Sequence, residues 1–376
     1  MRIGLNATCF DDRPSGANQR FRLLYGAVIR RNPQHQFLIY EPADHRIAGW
    51  FADCSNVIAR VTPVRGAGRL TRLATGLRYW RTAFRADAVD VFETFCLPLV
   101  AAPCPTILTV HDLRSLQVES RVARAIARMV LRHAFARADH IVSVSAVVRD
   151  EIAAFRPGTQ VSVVHNGVAR SAAASCEALP AGLPDRFALA VGHLEARKNL
   201  PLLIDAIGRL RDSGAIRPLV LAGRDGGVRD QLRGHIAARD LGTVVHIVED
   251  ADDATIRALY AACALVVVPS SYEGFGIALI EAMAAGRPLV TSDIAVFREV
   301  TQDQGCYFAV DDPAAAAAAI DRVWTDDTER ARLIGYGDMR VGDFAFDALA
   351  DRIAALYTPS ATASRARAAA TEWNRS

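Results

Sequence analysis

Short apolar, β-branched runs alternate along this chain with stretches whose apolar positions recur every three or four residues. The first pattern reads as buried strand and the second as helix with one face turned to a core. In the first half it predicts strands at Arg2–Asn6, Gln36–Tyr40, Asn56–Val61, Val89–Glu93, Thr106–His111, His140–Ser145 and Val161–His165. Helices fall between them, for example Asn18–Arg31 and Ser120–Arg137. The second half repeats the scheme, with strands at Phe187–Gly192, Pro218–Ala222, Val244–Val248, Leu265–Pro269, Pro288–Ser292 and Cys306–Val310. Its helices are expected at Leu200–Arg211, Val228–Arg239, Thr255–Ala262, Gly276–Ala285 and Pro313–Trp324. Such alternation implies α/β architecture with parallel, doubly wound sheets.

A length of 376 residues is about twice that of an ordinary domain, so two lobes are expected. The segment Ser171–Pro184 (SAAASCEALPAGLP) is the best linker. The expected layout is an N-terminal lobe over 1–175 on the acceptor side and a C-terminal lobe over 185–342 that holds the donor. A helix over 343–358 would cross back to the first lobe, and 359–376 would form a disordered tail. Two doubly wound lobes facing a central cleft would bind ligands at the carboxyl ends of their strands.

Composition narrows the class. The longest apolar runs, such as Ala264–Pro269, are far below the roughly 20 residues of a membrane span. The N-terminus turns polar after a few residues and reads as a strand, not a signal peptide. Seven scattered cysteines without a C-x-x-C pair read as structural thiols of a cytoplasmic protein. Charge is uneven: residues 1–180 carry 23 arginines against 14 acidic residues, while 181–376 carry 21 basic against 27 acidic. A basic front half suggests an anionic counterpart, such as lipid headgroups or a phosphorylated acceptor, or else a solvated helix face. Nucleic acid fits less well, because the arginines are interleaved with Ala and Leu instead of aromatics. Among 44 basic residues only Lys198 is lysine. A site that keeps the compact ammonium in so arginine-biased a chain points to a chemical need for it.

Candidate chemistry concentrates in two segments. In Ser270-Ser271-Tyr272-Glu273-Gly274-Phe275-Gly276-Ile277-Ala278-Leu279-Ile280-Glu281, a strand ends in a glycine-bearing loop and a helix begins. Helix N-termini offer unpaired N–H groups and partial positive charge to phosphate. Taken singly, Glu273 is equally a solvated loop residue and Glu281 an early-helix carboxylate. In Gly192-His193-Leu194-Glu195-Ala196-Arg197-Lys198-Asn199, two cations follow a strand and suit a diphosphate leaving group. A third element, Thr109-Val110-His111-Asp112-Leu113, places a histidine at a strand end.

These segments resemble glycosyltransferase family 4, whose retaining members have the GT-B fold of two Rossmann-like lobes. Glu273 and Glu281 match the family's E-x7-E signature. The resemblance implies that Glu273 approaches the donor sugar, Glu281 bonds the ribose, and backbone at Phe275, Gly276 and Ile277 holds phosphate. It assigns Lys198 to the diphosphate, with Arg197 replacing the arginine that many members carry where this chain has His193. It points His111 at the donor sugar. Pro14-Ser15-Gly16-Ala17-Asn18 is similar to the N-terminal glycine loop without its double glycine, so only Gly16 carries over. Asn166-Gly167-Val168 and Arg298-Glu299-Val300 are weaker matches in the expected order.

The implied reaction moves a hexosyl group from a nucleoside diphosphate sugar to a glycan or lipid-linked glycan, with no cofactor. The R-K-N form suggests mannosyl transfer from GDP-mannose, ahead of a UDP-hexose or dTDP-rhamnose. Asp250-Ala251-Asp252 reads as a helix-start cluster, not a metal site, so metal independence is expected. Peripheral association with the inner face of the cytoplasmic membrane, in surface polysaccharide assembly, is the accompanying expectation. A nucleotide-sugar epimerase of similar fold and a non-catalytic sugar-nucleotide binder remain alternatives. A nicotinamide enzyme is disfavoured, since no G-x-G-x-x-G follows the first strand.

Overall fold

The structure, a computed structural model, describes residues 1–12, 15–64, 79–169 and 179–358. Most of the expected linker, 171–178, the expected tail, 359–376, and Pro14 of the glycine loop lie outside the described residues. The chain divides into two compact units, Met1–Gly167 with the segment from Phe346, and Val168–Ala345.

The sheet of the first unit contains β1 (Arg2–Asn6), β2 (Gln36–Glu41), β3 (Val57–Val61), β4 (Val91–Thr94), β5 (Thr106–Val110), β6 (His140–Ser143) and β7 (Val161–Val163). They pair in the order β3-β2-β1-β4-β5-β6-β7, every pair parallel. The central strands are apolar on both faces because helices cover both faces. Ile3, Leu5, Phe37, Ile39 and Ile107 have no exposed surface.

Several strands stop short of the sequence expectation, and two of these ends matter for the caps and the site. β6 ends at Ser143 because Ser145 serves as the N-cap of the helix Ala146–Phe155, its hydroxyl accepting from Val148 N–H at 3.1 Å. A cap satisfies an amide that the helix itself leaves unpaired. β5 ends at Val110, which leaves His111 in the loop beyond it.

The helix Phe346–Ala355 packs Leu349, Ala350 and Ile353 into the core that holds Ile3, Phe21 and Tyr25. Arg31 forks onto the carboxylate of Asp351 at 2.8 and 2.9 Å. Past the helix, Tyr357 donates to the fully buried Glu93 of β4 at 2.7 Å.

The second unit holds β8 (Ala188–Val191), β9 (Leu219–Gly223), β10 (Val245–Glu249), β11 (Leu265–Val268), β12 (Leu289–Ser292) and β13 (Cys306–Phe308). Their order is β10-β9-β8-β11-β12-β13, again parallel throughout. The helix Asp327–Arg340 was not read from the sequence, being polar and carrying two glycines. Gly337 lets it lie against Met283, since a Cβ there would stand 3.2 Å from Met283 Cγ. No helix among the described residues is long and apolar enough to cross a membrane.

Candidate active site

In the second sheet the strand order reverses between β8 and β11, which lie side by side. Loops leaving the carboxyl ends of two such strands diverge and open a crevice. The loop after β8 carries Gly192 to Asn199, and the loop after β11 carries Pro269 to Gly276. Backbone joins them: Ser271 N–H donates to the Arg197 carbonyl at 2.9 Å.

Three of the expected residues meet here. Lys198 Nζ lies 2.7 Å from Glu273 Oε1, and Arg197 Nη1 lies 2.7 Å from Glu273 Oε2. Arg197 Nε also reaches Glu195 Oε2 at 2.7 Å, and Ser270 Oγ donates to Glu273 Oε1 at 3.1 Å. Burial alone would raise the Glu273 pKa, but Lys198 and Arg197 outweigh it and hold the carboxyl below its ordinary range. Burial likewise opposes the charge on Arg197, and Glu273 and Glu195 overcome that opposition.

Glycines make the close packing possible. Gly192 has φ +140°, and a Cβ there would meet Lys198 Cε at 3.0 Å. A Cβ on Gly223, the last residue of β9, would stand 1.9 Å from the Gly192 carbonyl oxygen, so only glycine fits where the end of β9 meets the start of the loop after β8.

The helix Ile277–Ala284 starts at Gly276, which takes φ +95° and has no side-chain cap. Phe275, Gly276 and Ile277 therefore occupy the N-terminal turn whose partial positive charge favours an anion. Glu281 lies farther along this helix. Its Oε2 accepts from Tyr260 O–H at 2.9 Å. Burial first, and then the Glu281 charge, raise the Tyr260 pKa well above its usual value, so the phenol stays a donor.

The remaining two residues belong to the first unit. Gly16 opens a helical segment, residues 16–31, that is capped by Ser15 and contains a π-helical stretch, Arg20–Tyr25. His111 has its Nε2 shielded from solvent with no hydrogen-bond partner among the described residues. Burial, aided by the charges of Arg20 and Arg114, lowers its pKa to about 3, so the ring is neutral at ordinary pH.

Sequence reasoning missed the polar groups around it. Arg20 is 2% exposed and donates through Nη1 to the His165 carbonyl at 2.8 Å and Asn166 Oδ1 at 2.9 Å. Glu93 accepts from Tyr25, from Thr109 at 2.7 Å and from Tyr357. Burial pushes the Glu93 pKa up against these bonds. A charged residue inside an apolar run, such as Glu93 in Val91–Thr94, was the one signal available. In the second unit Asp252 caps the helix Asp253–Ala262, accepting from Thr255 N–H at 2.8 Å, which accounts for its place in the Asp-x-Asp sequence.

Comparison with known proteins agrees with this layout. The profile of Glycosyltransferase Family 4 matches residues 14–171, and that of Glycosyl transferases group 1 matches residues 177–340. Glycogen synthase of Mycobacterium tuberculosis is 30% identical over 78% of this chain and 72% of its own length. Phosphatidyl-myo-inositol mannosyltransferase of Mycolicibacterium smegmatis is 27% identical over 95% of this chain and 93% of its own. Among solved structures, sucrose-phosphate synthase from Thermosynechococcus elongatus superposes with a TM-score of 0.75 at 22% identity, covering 96% of this chain and 100% of that one. That likeness gives the GT-B fold, and with the two matching profiles and the relatives it follows that this chain belongs to the family 4 (group 1) glycosyltransferases.

Proposed function

We propose that this glycosyltransferase moves a hexosyl group, with retention, from a nucleoside diphosphate sugar to a lipid-linked glycan. Mannose is the expected sugar and GDP-mannose the expected donor. The observation that carries the reading is the cluster in which the only lysine of the chain meets Glu273 at 2.7 Å beside Arg197. Two cations beside an uncapped helix N-terminus suit a diphosphate whose charge grows as the glycosidic bond breaks. Glu281 and Tyr260 would take the ribose hydroxyls, and the neutral His111 would touch the sugar without forming a bond to it. The acceptor hydroxyl attacks on the face that the nucleotide leaves, and its proton passes to the departing phosphate. No protein nucleophile is then required. The donor charge is met by Arg197 and Lys198, so no metal is required either. The mannosyl and lipid assignments draw support from the phosphatidyl-myo-inositol mannosyltransferase relative, which spans nearly the whole chain.

The test is nucleoside diphosphate release from GDP-mannose, UDP-hexoses and dTDP-rhamnose, with EDTA present and with lipid extract as acceptor. Release from one donor, faster with acceptor and unaffected by EDTA, is the expected result. An isomerised donor without acceptor would indicate an epimerase. Binding without release would indicate a sensor, and rescue of an EDTA-blocked enzyme by manganese would refute metal independence.

A further inference from the structure

We infer that the helix Arg121–Arg137 docks the first unit onto the surface of an anionic lipid bilayer. Its sequence, RVARAIARMVLRHAFAR, holds five arginines and no acidic residue. The face carrying Leu131, Ala134 and Phe135 is buried in the unit. On the opposite side Val122 is 71% exposed, Ile126 53% and Met129 65%, with Val118 just before the helix at 38%. Spacings of four and three residues place Val122, Ile126 and Met129 on one stripe.

The outward face of a water-exposed helix is ordinarily polar, so an apolar stripe there calls for a partner. By the helical period Arg121, Arg128 and Arg132 fall along one side of that stripe and Arg137 on the other, and all four are exposed. Arg124 is committed elsewhere, donating to the Val118 carbonyl at 2.8 and 3.1 Å.

The charge pattern selects the occupant. A second copy of a helix with five arginines and no acid would be repelled by the first. A stripe that is apolar in the middle and cationic at its flanks matches a layered surface, with acyl chains beneath and phosphates above. The first 180 residues as a whole have an excess of arginine over acidic residues, a net charge of the same sign. This deepens the proposed lipid-linked acceptor, yet vesicle binding is read without donor or acceptor, so the two can fail separately.

The experiment is flotation of the full chain with vesicles of phosphatidylcholine, with and without phosphatidylglycerol. Binding to the phosphatidylglycerol vesicles alone is expected, and it should weaken as salt screens the headgroups. Ile126→Asp with Met129→Asp should abolish it. Arg121→Gln and Arg132→Gln should each lower affinity about fivefold. Donor turnover in solution should stay within about twofold of the parent, because no site group is touched. Equal binding by parent and variants, or equal flotation with both vesicle types, overturns the inference. So does a parent that binds no vesicle but forms a dimer which the Asp variant splits, or one held only by an acidic protein. Vesicle binding without any sugar transfer would leave the docking intact and remove the proposed function.

Discussion

Replacing Glu273 with glutamine keeps the shape of the central contact and removes its charge. In the parent the Glu273 side chain is 12% exposed, Lys198 15% and Arg197 27%. Breaking a buried pair by neutralising one partner costs about 3–5 kcal/mol, whereas fully exposed pairs contribute about 0–1. With partial access of water to Arg197, the expected loss is about 2–3 kcal/mol. For a unit the size of Val168–Ala345, each kcal/mol shifts the melting temperature by about 2–4 °C, giving a fall of about 4–12 °C. A nucleoside diphosphate supplies the missing negative charge, so saturating GDP should recover most of that fall. The diphosphate no longer has to displace Glu273 from the cations, so its Kd should tighten by on the order of tenfold while sugar transfer drops. Thermal unfolding of parent and Glu273→Gln, with and without GDP, makes the comparison. A GDP-induced shift of equal size in both proteins would refute the view that Glu273 and the diphosphate compete for Arg197 and Lys198.

Two further outcomes are expected. An unfolded histidine takes up a proton near pH 6.5, whereas folded His111 stays neutral to about 3, so stability falls as pH drops through that interval. At about 1.4 kcal/mol per unit, His111→Gln should remove about 2 kcal/mol of the loss between pH 6.5 and 5 in urea unfolding, and parallel pH profiles would contradict this. Gly276→Ala forces a side chain into φ +95° with its Cβ 2.7 Å from Phe297 Cε1, which should raise the donor KM at least tenfold. An unchanged KM would show that the helix N-terminus does not hold the phosphates.

Local patterns were legible because they are local. All thirteen strands described here were placed from apolar runs, since central strands of a doubly wound sheet are hydrophobic on both faces. Ends were misplaced where a side chain was claimed by a cap, as at Ser145. The polar helix Asp327–Arg340 escaped because its packing rests on Gly337, a residue that argues against helix when read alone. The candidate site shows the same division. Arg197, Lys198, Glu273 and Glu281 stand in motifs a few residues long. That Lys198 and Glu273, separated by 75 positions, would grip one another depends on the adjacency of β8 and β11. The bonds of Tyr260 to Glu281 and of Arg20 to Asn166 have no signature in spacing at all, because tertiary structure alone sets those distances.

The bond from Tyr357 to Glu93 closes a loop of 264 residues. Synthesis therefore delivers the front unit before the piece that completes its interior, and Glu93 waits on the ribosome with one phenol partner missing while the entire rear unit emerges. The core beside the first sheet is complete only after translation has passed Tyr357, so removing the helix Phe346–Ala355 and the residues that follow it would harm the opening half of the protein rather than the half it follows in sequence.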